Sequence, residues 1–81
     1  MKTIIVGREA QKSLDRMQLK RRAAIIAKLD DYAQGRPVDI KKMTGSDYFR
    51  IRVGQDRVVI DDQGRVVMVV KAGPRGSIYK E

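Results

Sequence analysis

The sequence predicts an α+β domain in the order β-α-α-β-β-β, with a helical hairpin packed on one face of a small, mainly antiparallel sheet. Three observations predict it. A short β-branched run opens the chain, residues 8–34 carry apolar positions at helical spacing, and residues 48–71 change to an alternating or continuous apolar pattern. Eighty-one residues suit a single domain, 1–81. A chain this short buries only about 60–65% of its unfolded surface, so its core must be simple.

Thr3-Ile4-Ile5-Val6 reads as the first strand, ended by Gly7. From Arg8 the period changes: Ala10, Leu14 and Met17 fall at i, i+4 and i+7, one face of a short helix. After Gln18 a second helix begins, with Ile25, Ile26, Leu29, Tyr32 and Ala33 as its predicted buried stripe. Gly35 and Pro37 are its stop signals. In Tyr48 to Val53, one face carries Phe49, Ile51 and Val53, and the other carries Tyr48, Arg50 and Arg52. Gly54-Gln55 fits a two-residue type II′ hairpin loop, and Asp56 to Asp61 returns as the next strand. After a turn at Asp62-Gln63-Gly64, Arg65 to Lys71 is apolar on both faces, as expected of a central strand covered by the helices. Gly73-Pro74 is expected to break the ladder before a tail from which Ile78 can return to the core.

The hairpin loop sets a register. Val53 faces Asp56, Arg52 faces Arg57, Ile51 faces Val58 and Phe49 faces Ile60. A slip of one residue would put Arg57 on the apolar face, so the pattern favours this pairing. Two guanidiniums then oppose each other directly, with Arg50 one pleat along. Like charges in that position destabilise a sheet by roughly a few tenths to 1 kcal/mol. Two readings are open on the pattern alone. Long arginines can splay into water and keep the protein soluble, or they can converge on a phosphate, whose oxygens the guanidinium fork matches bidentately.

Charge narrows the partners. Eighteen Lys and Arg stand against ten Asp and Glu, a net +8 with a pI near 10.2. Residues 1–40 and 41–81 each hold nine basic and five acidic groups. The excess is spread along the chain, and such a surface attracts nucleic acid or an acidic protein partner. With no His and no Cys, zinc sites built on those ligands, thiol chemistry and imidazole general bases are all excluded.

The carboxylates are scattered and no GxxxxGK loop occurs, so neither a metal site nor a cofactor is expected. Apolar runs such as Val66 to Val70 are far short of the ~20 residues that span a bilayer. Residues 1–6 are too brief for a signal peptide. A cytoplasmic protein with no membrane partner is the expectation. Lys41, Lys42 and the Lys20-Arg21-Arg22 cluster can touch a phosphate backbone, although solvated faces look the same. Tyr48 lies on the arginine face and can stack on a base. Tyr79 either anchors the terminus or serves the site.

Asp47-Tyr48-Phe49-Arg50-Ile51-Arg52-Val53-Gly54, with Asp56-Arg57-Val58-Val59 and the ending Gly73-Pro74-Arg75-Gly76-Ser77-Ile78-Tyr79, resembles the RelE/ParE superfamily of bacterial and archaeal toxins from toxin–antitoxin modules. The element order and length match as well. The resemblance to the RNA-cleaving branch implies Arg50, Arg52, Arg57, Arg75 and Tyr79 as catalytic residues of a ribosome-dependent mRNA endoribonuclease. That enzyme works without metal by 2′-OH transesterification and so inhibits translation. Lys41, Lys42, Tyr48 and Lys71 are the accompanying candidate RNA contacts. The resemblance also implies a cognate antitoxin, hence a toxin–antitoxin hetero-oligomer, with mRNA on the ribosome as the other partner. The alternatives are a ParE-like toxin that inhibits DNA gyrase and cleaves nothing, and a non-catalytic nucleic-acid-binding module. Some relatives carry lysines where Arg50 and Arg52 stand, and His is often found where this chain has Pro74.

Overall fold

The computed structural model describes residues 1–74. The chain runs β1 (Thr3–Val6), α1 (Arg8–Arg16), α2 (Leu19–Ala33), β2 (Ile40–Lys42), β3 (Phe49–Val53), β4 (Asp56–Asp62) and β5 (Val66–Pro74). The strands form a single sheet in the order β1-β5-β4-β3-β2. Among the described residues only the β1–β5 pairing is parallel. The two helices provide the crossover that a parallel connection requires. Both lie on one face, α1 against β5 and α2 against β1 and β3. None of the described helices is long and apolar enough to cross a membrane.

The core lies between the helices and that face. Ile25 of α2 and Ile51, Val58, Ile60, Val67 and Val69 of the sheet are fully buried, joined by Ala10 and Leu14 of α1 and Leu29 of α2. Phe49, Ile40, Met17 and Tyr32 pack around them, half-buried. Polar groups on this side are paired. Asp56, 3% exposed, accepts from Nε of Arg21 at 3.1 Å and from its Nη2, a two-pronged bond from α2 to the sheet. That bond holds the Arg21 guanidinium above its ordinary pKa. The Tyr32 hydroxyl donates to Asp62, which also accepts from Lys2 Nζ at 3.2 Å and from the Gly64 N–H at 2.9 Å. Burial, and then this bond, pushes the Tyr32 hydroxyl up to about 12. The same hydroxyl is the main cause holding the Asp62 carboxyl below its ordinary value, against the opposing cost of burial.

Four details depart from the sequence reading. A strand not expected, β2, forms at Ile40–Lys42 and pairs antiparallel with β3. Three residues are too few to show a period, so its sequence gives no alternation to read. Strand β5 does not break at Gly73-Pro74 but pairs through Pro74, which lies opposite Asp56. Proline is tolerated because β1 pairs with β5 only as far as Val69, and beyond that point β5 is an edge strand.

Nor is β5 covered on both faces. Val67 and Val69 are buried under the helices, while Val66, Met68 and Val70 are only half-buried. Ile26, expected in the buried stripe of α2, is 53% exposed. Ile25, Leu29 and Ala33 recur every four residues and define the stripe that is buried. Ile26 sits 100° further round the helix. The expected return of Ile78 to the core lies outside the described residues.

Candidate nucleic-acid interface

The open face of the sheet is built by register. Between β3 and β4 the pairs are Phe49 with Ile60, Ile51 with Val58, Arg52 with Arg57 and Val53 with Asp56, as the Gly54-Gln55 loop predicts. Gly54 supplies the φ of +60° that the first position of such a loop demands. Because alternate residues point to opposite faces, burying Ile51, Val58 and Ile60 under the helices turns Arg50, Arg52 and Arg57 to the other side. On β2, Lys41 pairs with Arg50 and joins that side. Lys42 pairs with Phe49 and belongs to the helix side, at the edge of the sheet.

A β-bulge adds the last cation. The β4–β5 register shifts between Val59 and Ile60, where Val59 pairs with Lys71 but Ile60 pairs with Val69, leaving Val70 as the extra residue. Strict alternation from Val69 would put Lys71 under the helices. The bulge instead sets Lys71 opposite Val59 on the open face and returns Ala72, 5% exposed, to the core. Four neighbouring strands therefore present Lys41, Arg50, Arg52, Arg57 and Lys71 on one surface. Tyr48, 38% exposed, stands beside Lys71, Val59 and Val70.

These side chains share a face but not an environment. Arg52 is exposed and Arg50 half-buried. Arg57 is only 8% exposed, and its Nη1 donates to the Asp56 carbonyl at 3.0 Å and the Gly54 carbonyl at 3.4 Å. The direct opposition of Arg52 and Arg57 is thereby relieved. One guanidinium folds back onto the hairpin loop while the other reaches toward solvent. Arg75 and Tyr79 lie outside the described residues. Strand β5 ends at Pro74, beside the Arg57 end of the cationic surface.

One contributor to this face, the bulge at Val70, was missed from the sequence. A turn at Gly45 is legible in the sequence, but not its place on this face: it spans Met43-Thr44-Gly45-Ser46, closed by the Ser46 N–H donating to the Met43 carbonyl at 3.4 Å. Gly45 in it adopts φ +80°, the value a type II turn requires at its third residue.

No family model matches this sequence, and no curated protein does. Solved structures do. The chain is similar to the crystal structure of the RelB–RelE antitoxin–toxin complex from Methanococcus jannaschii, with a TM-score of 0.77 and 26% identity over 94% of this chain and 95% of that one. The chain has the RelE-like fold. The RelE-like fold is shared with the archaeal RelE–RelB complex from Pyrococcus horikoshii OT3 at a TM-score of 0.72, with 20% identity over 93% of this chain and 96% of that one. It is shared too with a copper-bound mutant toxin from Helicobacter pylori, at a TM-score of 0.83 and 10% identity over 98% and 100% of the two chains. The two helices and the mostly antiparallel sheet are the parts held in common.

Proposed function

We propose that this RelE-like protein is the toxin of a type II toxin–antitoxin system and acts as an endoribonuclease on mRNA in the ribosome. The observation that carries the reading is the convergence of Lys41, Arg50, Arg52, Arg57 and Lys71 on the sheet face that the helices leave open. The similarity to RelE chains of RelB–RelE complexes supports the toxin class and a RelB-like antitoxin as partner. The +8 net charge suits an antitoxin whose toxin-binding segment is acidic.

The residue inventory fits chemistry in which the substrate supplies the nucleophile. The ribose 2′-OH attacks the adjacent phosphorus and the P–O5′ bond breaks. A 2′,3′-cyclic phosphate and a 5′-OH result, with one proton lost from O2′ and one gained by O5′. A protein serving this step has to hold the in-line geometry and neutralise charge on the phosphorane-like transition state. Arg50 and Arg52 grip phosphates on the exposed side of the patch. Arg57, held by two backbone carbonyls, is the pre-oriented cation of the group. Arg75 and Tyr79, by their place in the resembling motif, complete the site. Arg75 neutralises transition-state charge and Tyr79 aligns or stacks on the nucleotide.

The test is in-vitro translation with purified protein, mapping transcript ends with and without ribosomes. New ends only with ribosomes are expected, and Arg75→Ala and Tyr79→Phe are expected to abolish both cutting and growth arrest while circular dichroism stays unchanged. Intact transcripts combined with inhibited gyrase supercoiling would establish the ParE-like reading instead.

A further inference from the structure

The cationic patch borders a cleft that electrostatics alone does not explain. It holds about 250 Å3 and is lined by Val59 and Val70 as its apolar base, Tyr48 and Met43 as walls, and Lys71 at its edge. The Met43–Ser46 turn forms its polar rim, with the hydroxyls of Thr44 and Ser46. The rim is pre-formed. The turn is closed by its own hydrogen bond, Met43 N–H donates to the Tyr48 carbonyl at 2.9 Å, and Tyr48 N–H donates to Ser46 Oγ at 3.1 Å. The bulge creates the opening, because it places Val70 and Lys71 together where a regular strand would show one residue. Asp47 lines the outer side of the turn, with Lys42, and not this cleft.

We propose that this cleft is a base-binding subsite that receives one nucleobase of the RNA whose backbone lies on the arginines. The proposal rests on the nuclease reading and deepens it. The volume is below the roughly 300–1,000 Å3 of drug-sized pockets and suits one planar heteroaromatic ring. A flat apolar base with an aromatic wall accepts the face of such a ring, and Tyr48 supplies the stacking surface. Polar rim groups meet the ring's edge. A hydrocarbon ring, such as phenylalanine on an acidic partner, would leave those groups unpaired. Lys71 stands opposite Val59, and Arg50 pairs with Val59 from the other side. A phosphate attached to the ring's sugar therefore meets cations as soon as the base is seated. The turn, which the arginine pattern did not reveal, becomes the part of the molecule that distinguishes one base from another.

The experiment titrates the protein, labelled at its valine and methionine methyls, with each nucleoside 3′-monophosphate and separately with ribose 5-phosphate. Saturable shifts at Met43, Val59 and Val70 with nucleotides, absent with ribose 5-phosphate, are expected. Tyr48→Ala is expected to weaken that binding about 5- to 150-fold, the range typical of one lost base–aromatic stack. Equal responses to nucleotide and sugar phosphate overturn the proposal, since they describe anion binding alone. Silence toward nucleotides with shifts induced by an acidic phenylalanine-containing peptide overturns it as well. Because the unmodified chain carries the decisive titration, poor folding of the variant does not obscure the result. Transcripts left uncut while these methyls respond would remove the nuclease reading and leave the subsite standing. Cut transcripts with unresponsive methyls would do the reverse.

Discussion

On the helix side of the sheet, Ile51, Val58, Ile60, Val67 and Val69 are fully buried, and the Asp56 carboxylate among them is paired with Arg21. On the open side, the same strands β3 and β4 present Arg50, Arg52 and Arg57, with Lys41 and Lys71 on the flanking strands. Adjacent residues of one strand thus serve opposite ends. Hydrophobic burial stabilises the fold by something near 25 cal/mol per Å2 on one side, while like charges gathered on the other work against it. The contrast teaches that stability and charge concentration are divided by strand parity. The covered face must be strong enough to carry the cost of the open one.

Substitutions on each side should therefore differ in sign as well as size. Ile60→Ala, in the fully buried layer, is expected to cost about 2–5 kcal/mol, a large share of the stability of so small a domain. A urea midpoint left within error of the parent would mean that the covered face does not dominate. Tyr32→Phe probes the margin of that face and is expected to cost about 1 kcal/mol near neutral pH.

Its pH dependence gives a sharper reading. Asp62 has a lowered pKa, so its contribution is present above the ordinary carboxylate value and is lost as pH falls through the lowered one. Tyr32 has a raised pKa, so its contribution is full below the ordinary tyrosine value of ~10 and is lost as pH climbs toward about 12. The gap between the parent and Tyr32→Phe should accordingly be widest near pH 7 and narrow at pH 3 and pH 11. A constant gap across the three would contradict the assignment. The smallest effect belongs to the open face. Arg52→Ala is expected to leave stability unchanged or to raise it by a few tenths to 1 kcal/mol. Its affinity for single-stranded RNA should fall, with a salt slope shallower by about 1. A clear loss of stability would show that Arg52 supports the fold.

Much of this was legible in the amino-acid order. Alternation of Phe49, Ile51 and Val53 with Arg50 and Arg52, joined to a two-residue loop at Gly54, fixes both register and face, because only one pairing buries the apolar set. What stayed hidden has physical reasons. Val66 to Val70 is apolar throughout, so its pattern carries no phase from which a bulge at Val70 could be inferred. Hence Lys71 could be named as a candidate but not given a side of the sheet. Strand β2 is held by pairing with β3 and not by its own Ile-Lys-Lys sequence. The difference between Lys41 and Lys42 appears only once that pairing is known. The burial of Arg57 follows from carbonyls at the hairpin loop, which no pattern of side chains displays.

The irregularity in β5 has a consequence for how such a chain can vary. Upstream of Val70 odd-numbered residues belong inside, and downstream even-numbered ones do, as Val69 and Ala72 show. That single added residue acts as a phase shifter between an oily half-strand and a charged one. Removing it would swap Lys71 and Ala72 between water and interior, so natural relatives of this length should tolerate many exchanges of residue type here but few changes in residue number.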